Sequence, residues 1–428
     1  MNKASWAMST LSAAIAAGIA GTAQAAGFQL LEQNASGLGN AYAGSAAVAE
    51  NASTIYFNPA GMTYLPGFNL SAGVNAIRPS FKFRDNGKST NPLALGGGSP
   101  TGGNGGDAGS WGIVPNAYFS WQLNEKWFVG VGVGAPFGLM TEYDDGWVGQ
   151  YHSTKFDIKT ININPSIAYK VNEQFSMGVG LNWQHIDAQY TKSVVVPAGP
   201  AMFLPGDADL NLDGDAWGWN AGIMLQPTED TRIGLSYRSK IKHTARGDTK
   251  IDGFAPGQSL SYDAKAKVNL PDTLILSAQH RLNERWELLA DISWTGWSSI
   301  PQLKIQNEGG PTDTLPLDFR DSWRVALGAN YQFAPQWKWR FGVAWDQSPV
   351  HNPSDRPTSL PDNDRWWFST GVQYQAGKHT SIDVGYTYLY LRDTDIDTDS
   401  GDPLTRGRVA GDYRSKGNIF GIQVSTRF

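Results

Sequence analysis

Residues 337–347 read WKWRFGVAWDQ, and this stretch decides the fold. Trp337, Trp339, Phe341, Val343 and Trp345 fall on one face, with Lys338, Arg340, Gly342, Ala344 and Asp346 on the other. A strict period of two over ten residues is a β-strand with one apolar face. Working outward, the pattern repeats along the chain. Trp127, Val129, Val131 and Val133 alternate with Gly130, Gly132 and Gly134. Residues 155–170, 175–193, 213–226, 231–247, 261–282, 286–306, 317–333, 364–376, 380–395 and 412–428 behave the same way, and 68–84 and 116–123 precede them. Short polar turns at 124–126, 172–174, 227–230, 283–285, 334–336 and 377–379 alternate with long irregular loops. An even set of about fourteen strands with short turns at one end and long loops at the other is the pattern of a transmembrane β-barrel. A soluble sandwich or β-helix would not repeatedly expose Trp at both ends of its strands, whereas membrane interfaces favour it.

One stretch stands apart. Residues 26–67, AGFQLLEQNASGLGNAYAGSAAVAENASTIYFNPAGMTYLPG, are rich in small residues and carry only Glu32 and Glu50 as charges. A compact insert without strand period, ahead of an all-β chain, suggests a plug inside the barrel. Before it, Lys3, an Ala-rich apolar stretch and Ala23-Gln24-Ala25 form the pattern of a secretory signal peptide over 1–25. The expected organisation is therefore signal peptide 1–25, plug or hatch 26–67 and barrel 68–428.

Composition agrees. With 17 Trp, 16 Tyr, 18 Phe and 49 Gly, yet mean hydropathy of −0.35, the chain is aromatic-rich but polar overall, as strands that show lipid only at every second residue require. A formal charge of −5 argues against a nucleic-acid partner, and the lack of cysteine removes disulfide frameworks and thiolate metal sites.

The residues also carry a family resemblance. AGFQL, SGLGNAYAG and NPAGM, then APFGLMTEYDDGWVGQY, ININPSIAYKVN, ISWTGWSSIPQLKI, WRVALGANYQF and LPDNDRWWFSTGVQY occur in order over essentially the whole chain after residue 25. In this they resemble the FadL family of outer-membrane transporters for long-chain fatty acids and other hydrophobic compounds. The resemblance implies a fourteen-stranded monomeric barrel with an N-terminal hatch, no cofactor, and outer-membrane lipid and lipopolysaccharide as surroundings. It also implies a ligand that leaves sideways through an opening at the third strand.

Several residues are singled out on that basis. Phe28 sits where the family's N-terminus reaches the ligand. Lys192 matches by position a family basic residue that meets the ligand carboxylate, and Arg320 more weakly matches a second. Ala188 and Tyr190 share the face of Lys192 and would line the pocket. Asn58, Pro59 and Ala60 match the family's hatch motif; by local sequence alone they read as a plain turn. Gly130, Gly132 and Gly134, followed by Pro136, either permit a bend that opens the wall or make room for the plug. Residues 135–151 and 200–205 (PAMFLP) are apolar for outer loops. They form a surface capture groove or a core packed between loops.

Other chemistry finds little support. Asp209-x-Asn211-x-Asp213-Gly214 opens like a calcium loop, but the twelfth position is Asn220, not Glu. These acids and Asp393, Asp395, Asp397 and Asp399 read as solvated loop residues, with loosely held divalent ions as the alternative. The six histidines show no ligand spacing, and no Ser/His/acid set can be assembled for an enzyme. The remaining alternatives are a monoaromatic hydrocarbon channel of the same family and a general polar porin.

Overall fold

Alternating side chains leave each strand one face for lipid and one for the lumen, and closure of the sheet removes its edges. The computed structural model describes residues 27–428; the signal-peptide reading of 1–25 lies outside the described residues. Fourteen antiparallel strands form the wall. They are β1 (Phe68–Asp85), β2 (Gly112–Gln122), β3 (Trp127–Gly134 and Gly138–Glu142), β4 (Lys155–Lys170), β5 (Phe175–Gly199), β6 (Met202–Thr228) and β7 (Thr231–Arg238 and Ile241–Asp252). Then come β8 (Leu260–Leu270 and Thr273–Arg281), β9 (Trp286–Thr295 and Gln302–Asn307), β10 (Asp313–Pro316 and Ser322–Ala334) and β11 (Trp337–Asp346). β12 (Arg365–Gln375), β13 (Thr380–Leu391 and Thr394–Thr398) and β14 (Val409–Arg427) complete it. Each strand pairs with the next, and β1 pairs with β14 from Asn69↔Arg427 to Asp85↔Gly411, which closes the barrel.

Exposed Trp121, Trp127, Trp286, Trp337 and Trp339 ring the short-turn end, and exposed Trp217, Trp219, Trp323 and Trp366 the other. Val179, Leu327 and Ile422 lie exposed between them, as a lipid-facing belt requires. Three expectations need correction. β5 and β6 run on to a hairpin tip at Gly199–Met202, well past their expected ends, because their polar outer halves still pair residue by residue. Asp209–Gly214 accordingly lies within strand β6, not in a loop. The 261–282 and 286–306 segments are each interrupted, the first after Leu270, where Pro271 offers no N–H to the ladder.

The hatch fills the lumen with short elements: α1 (Ala35–Leu38), α2 (Thr54–Phe57) and a 3-10 turn (Pro59–Tyr64). Asn34 caps α1, accepting the Gly37 N–H at 2.9 Å. Hatch side chains pack against the inner wall in one cluster that includes Leu38, Tyr42, Phe57, Leu289, Trp367 and Ile419. Near the short-turn end, Glu50 bridges to Lys338 at 3.2 Å and to Arg340 at 2.7 Å, and Arg340 reaches Asp383 at 2.9 Å.

Candidate ligand-binding site

The site begins with an apolar cluster on the lumen wall above the hatch. Phe28 is buried at its base, with its ring 4.9 Å from Trp297 and 6.0 Å from Phe137. Register carries the cluster around the barrel. Leu139 lies opposite Ile158, Ile158 opposite Ala188, and Ala188 opposite Leu212, so four strands set apolar side chains in one row. The row above pairs Phe156 with Tyr190 and Tyr190 with Leu210. Phe28, Ala188 and Tyr190 thus belong to one apolar surface.

Tyr190, Leu210 and Ile305 continue that surface into an open cavity of about 540 Å³ toward the long loops. This is within the usual range for small-ligand pockets, about 300–1,000 Å³. Tyr151, Val194, Val196, Ile251, Leu260 and Tyr262 give it apolar walls. Lys192 enters it from β5, with Nζ 2.6 Å from Asp313 Oδ2 of β10. Arg406, from the loop between β13 and β14, bonds the other Asp313 oxygen and donates to Thr314 O at 3.1 Å. Behind them His152 is buried, and its backbone oxygen accepts the Tyr190 hydroxyl. Burial, reinforced by the charges of Arg406 and Lys192, pushes the His152 imidazole down to about 3, so it is neutral at pH 7.

Arg320 is not part of this cavity. Its Nε donates to Ser348 O at 3.1 Å, its Nη2 lies 3.8 Å from Asp364, and the side chain is 41% exposed. The 347–364 connection, not the pocket, sets its surroundings. The segment 143–151 likewise departs from the capture-groove reading: Trp147 is buried and stacked on Tyr143 at 3.8 Å, within a loop core that includes Phe81, Phe83 and Tyr413. Tyr151 alone of that stretch lines the cavity, and Met202–Pro205 lies in strand β6.

Asn58 is fully buried and ties the hatch to itself and to the wall. Its Nδ2 donates to Ala46 O at 2.8 Å and to Ile223 O of β6 at 3.0 Å, and its Oδ1 accepts the Ala60 N–H at 3.0 Å. Pro59 opens the 3-10 turn that follows, where its missing N–H is not needed. A Cβ on Gly222 would lie 2.1 Å from Asn58 Oδ1, so the wall is glycine where the motif docks.

The glycines of β3 face the hatch. A Cβ on Gly130 would meet Ile55 at 2.6 Å, and one on Gly134 would meet Gln33 at 2.4 Å. The break in the strand follows them, at Ala135–Phe137. Pairing of β2 with β3 ends at Ala117↔Val133, and the second part of β3 pairs with β4 alone. Residues 112–116 of β2 therefore have no ladder partner on that side among the described residues. The hatch occupies the inside of the break. Leu30 N–H donates to Pro136 O at 2.8 Å, Gly138 N–H to Phe28 O at 2.9 Å, and Gln33 Nε2 to Ala135 O at 2.8 Å.

Sequence reasoning did not name Asp313 or Arg406. Both sit in polar loop-edge segments without periodicity, and only the fold brings them to Lys192.

The sequence pattern of the family described as outer membrane protein transport protein (OMPP1/FadL/TodX) matches residues 16–428. A relative from Escherichia coli O6:H1, "Long-chain fatty acid transport protein", is 32% identical over 419 residues, covering 89% of this chain and 90% of that protein. The crystal structure of a Pseudomonas aeruginosa FadL homologue is similar with a TM-score of 0.86 at 26% identity, covering 94% of this chain and all of that one. The Ralstonia pickettii toluene transporter TbuX shares the fold with a TM-score of 0.68 at 18% identity, covering 93% of this chain and 100% of that chain.

Proposed function

Because the chain belongs to the outer membrane protein transport family OMPP1/FadL/TodX, and so is an outer-membrane β-barrel channel for hydrophobic compounds rather than an enzyme, we propose that it takes up long-chain fatty acids. The acid is captured among the outer loops, held in the lumen with its carboxylate near Lys192, and released sideways into the membrane at the break in β3.

One observation carries this reading: a single buried apolar cluster runs from the Lys192 cavity, through Tyr190, Ile158 and Leu139, to Phe137 and Phe28 beside the break. Each methylene buried against that cluster contributes about 0.8 kcal/mol. Ten of them give about 8 kcal/mol before the cost of association is subtracted. A carboxylate entering the same low-polarity space needs a cation or hydrogen bonds, since an unpaired buried charge is costly. Lys192 and Arg406 supply two. The hatch favours the sideways route because it fills the lumen, whereas the wall beside Phe137 lacks a strand-to-strand ladder. Closure of β1 on β14 supports a monomer in outer-membrane lipid and lipopolysaccharide.

The test is direct binding of oleate and of toluene to the purified, delipidated protein. Oleate binding that Lys192→Ala weakens supports the proposal. Toluene binding indifferent to Lys192 moves the chain to the aromatic hydrocarbon reading. Binding of neither, with passage of small polar solutes, makes it a porin.

A further inference from the structure

Two cations and one carboxylate meet in the cavity. Lys192 and Arg406 are 11% and 3% exposed at their side chains, and both contact Asp313. Arg406 Nη1 is buried and has no hydrogen-bond partner. Asp402 lines the same wall; its carboxylate accepts the N–H and hydroxyl of Thr405 and acts on both cations only from a longer distance. His152 is neutral and cannot supply an anion. A guanidinium with an unmet N–H beside apolar walls is expensive to keep unless something completes it. Asp313 fills the anion position between the cations, and Arg406 Nη1 is left as an unmet donor beside the cavity.

Resting on the reading of this cavity as the ligand site, we propose that Arg406 is the residue that selects acids over neutral hydrocarbons. The carboxylate of the incoming amphiphile accepts from Arg406 Nη1 and shares Lys192 with Asp313. The two cations then contact two carboxylates directly, Asp313 and the ligand's, with Asp402 farther off. The same contact holds the 399–408 loop, which carries Arg406, over an occupied cavity. A neutral hydrocarbon or an ester satisfies the apolar wall and leaves Arg406 as it was. Asp313 acts against the ligand in this arrangement, because it already neutralises part of the charge that attracts the acid.

The test measures oleate and methyl oleate binding to the full-length, delipidated protein and to three variants. Arg406→Gln is expected to weaken oleate by about tenfold or more, the scale of one charge-assisted hydrogen bond, and to leave methyl oleate within about twofold. Arg406→Lys keeps the charge without the fork and is expected to fall between the two. Asp313→Asn is expected to tighten oleate and leave methyl oleate unchanged. Equal weakening of both ligands by Arg406→Gln would overturn the inference, since the loop would then only prop the cavity. So would an oleate-to-methyl-oleate ratio that none of the variants changes. If the unaltered protein binds neither ligand, the reading of the cavity as a ligand site fails first and this inference with it.

Discussion

Replacing Asn58 with Ala should loosen the hatch and leave the barrel intact. Asn58 makes three hydrogen bonds, to Ala46 O, Ile223 O and the Ala60 N–H, and is fully buried. Each such bond is worth about 1 kcal/mol net, and the partners left unmet in a dry interior add to that. For an opening that breaks all three, the loss is about 3 kcal/mol, which raises the population of opened hatch by about a hundredfold. The wall should tolerate it, because the β6 ladder to β5 and β7 does not depend on this side chain. Native-state hydrogen exchange separates the two effects. Amides of residues 35–64 are expected to exchange about a hundredfold faster, while those of β5 and β6 keep wild-type protection. Asn58→Asp, which sets a buried carboxylate against the Ala46 and Ile223 carbonyl oxygens, should accelerate exchange at least as much. Hatch amides that exchange at the wild-type rate in Asn58→Ala would refute the reasoning.

Three further outcomes are expected. Burial pushes the Glu32 carboxyl up from 4.5 to about 7, against partial relief from its own backbone and from Arg365 and Arg324, and both of its oxygens lack hydrogen-bond partners. Between those values the docked hatch binds a proton that the undocked one does not, so hatch protection should fall by about 3 kcal/mol as pH rises from 4.5 to 7, and Glu32→Gln should abolish that slope. Burial also opposes ionisation of Glu50, but Arg340 and Lys338 outweigh it and hold the carboxyl at about 2; its contribution is present above pH 4.5 and lost as pH falls toward 2. Glu50→Gln should accordingly speed exchange of hatch amides near residue 50 at pH 7 and leave them insensitive to acid over that window; unchanged exchange would show that the ion pairs do not hold the hatch. Trp147→Ala empties the loop core beneath Tyr143, a loss of about 3–5 kcal/mol, and limited proteolysis should then cut the 86–111 and 143–154 loops readily; resistance equal to wild type would contradict the sealed core.

The wall was legible because its physics is periodic. Lipid on one side and the hatch on the other force alternation, so the short turns and most strand starts can be read directly from residues such as Trp337–Trp345. The outer halves of β5 and β6 were not, because both of their faces are partly wet there and the alternation fades. Pro136 after a glycine face marked the region where β3 breaks. The glycines themselves serve the close approach of Ile55 and Gln33, contacts between segments remote in sequence. Trp147 shows the limit of composition: an apolar loop residue fits a capture surface or a packed core, and here a stacked Tyr143 makes it core. Lys192 could be placed by resemblance and by its face, but its electrostatics could not. Its partners come from the start of β10 (Asp313) and from the loop between β13 and β14 (Arg406), and no local pattern relates them. Arg320 failed for the same reason, since Ser348 and Asp364 reach it only through the folded 347–364 connection.

The most direct test of the central claim is transfer of oleate into the bilayer of proteoliposomes when the hatch is locked. The chain has no cysteine, so Glu50→Cys with Lys338→Cys provides the only two thiols, and a short bis-maleimide can tie the hatch to β11 across the contact that now spans 3.2 Å. A ligand that leaves through the wall at β3 needs movement only of residues 28–33, so the locked protein should transfer oleate at close to the unlocked rate. Loss of transfer on cross-linking, restored in the uncross-linked double variant, would mean that the ligand passes through the hatch and not through the wall.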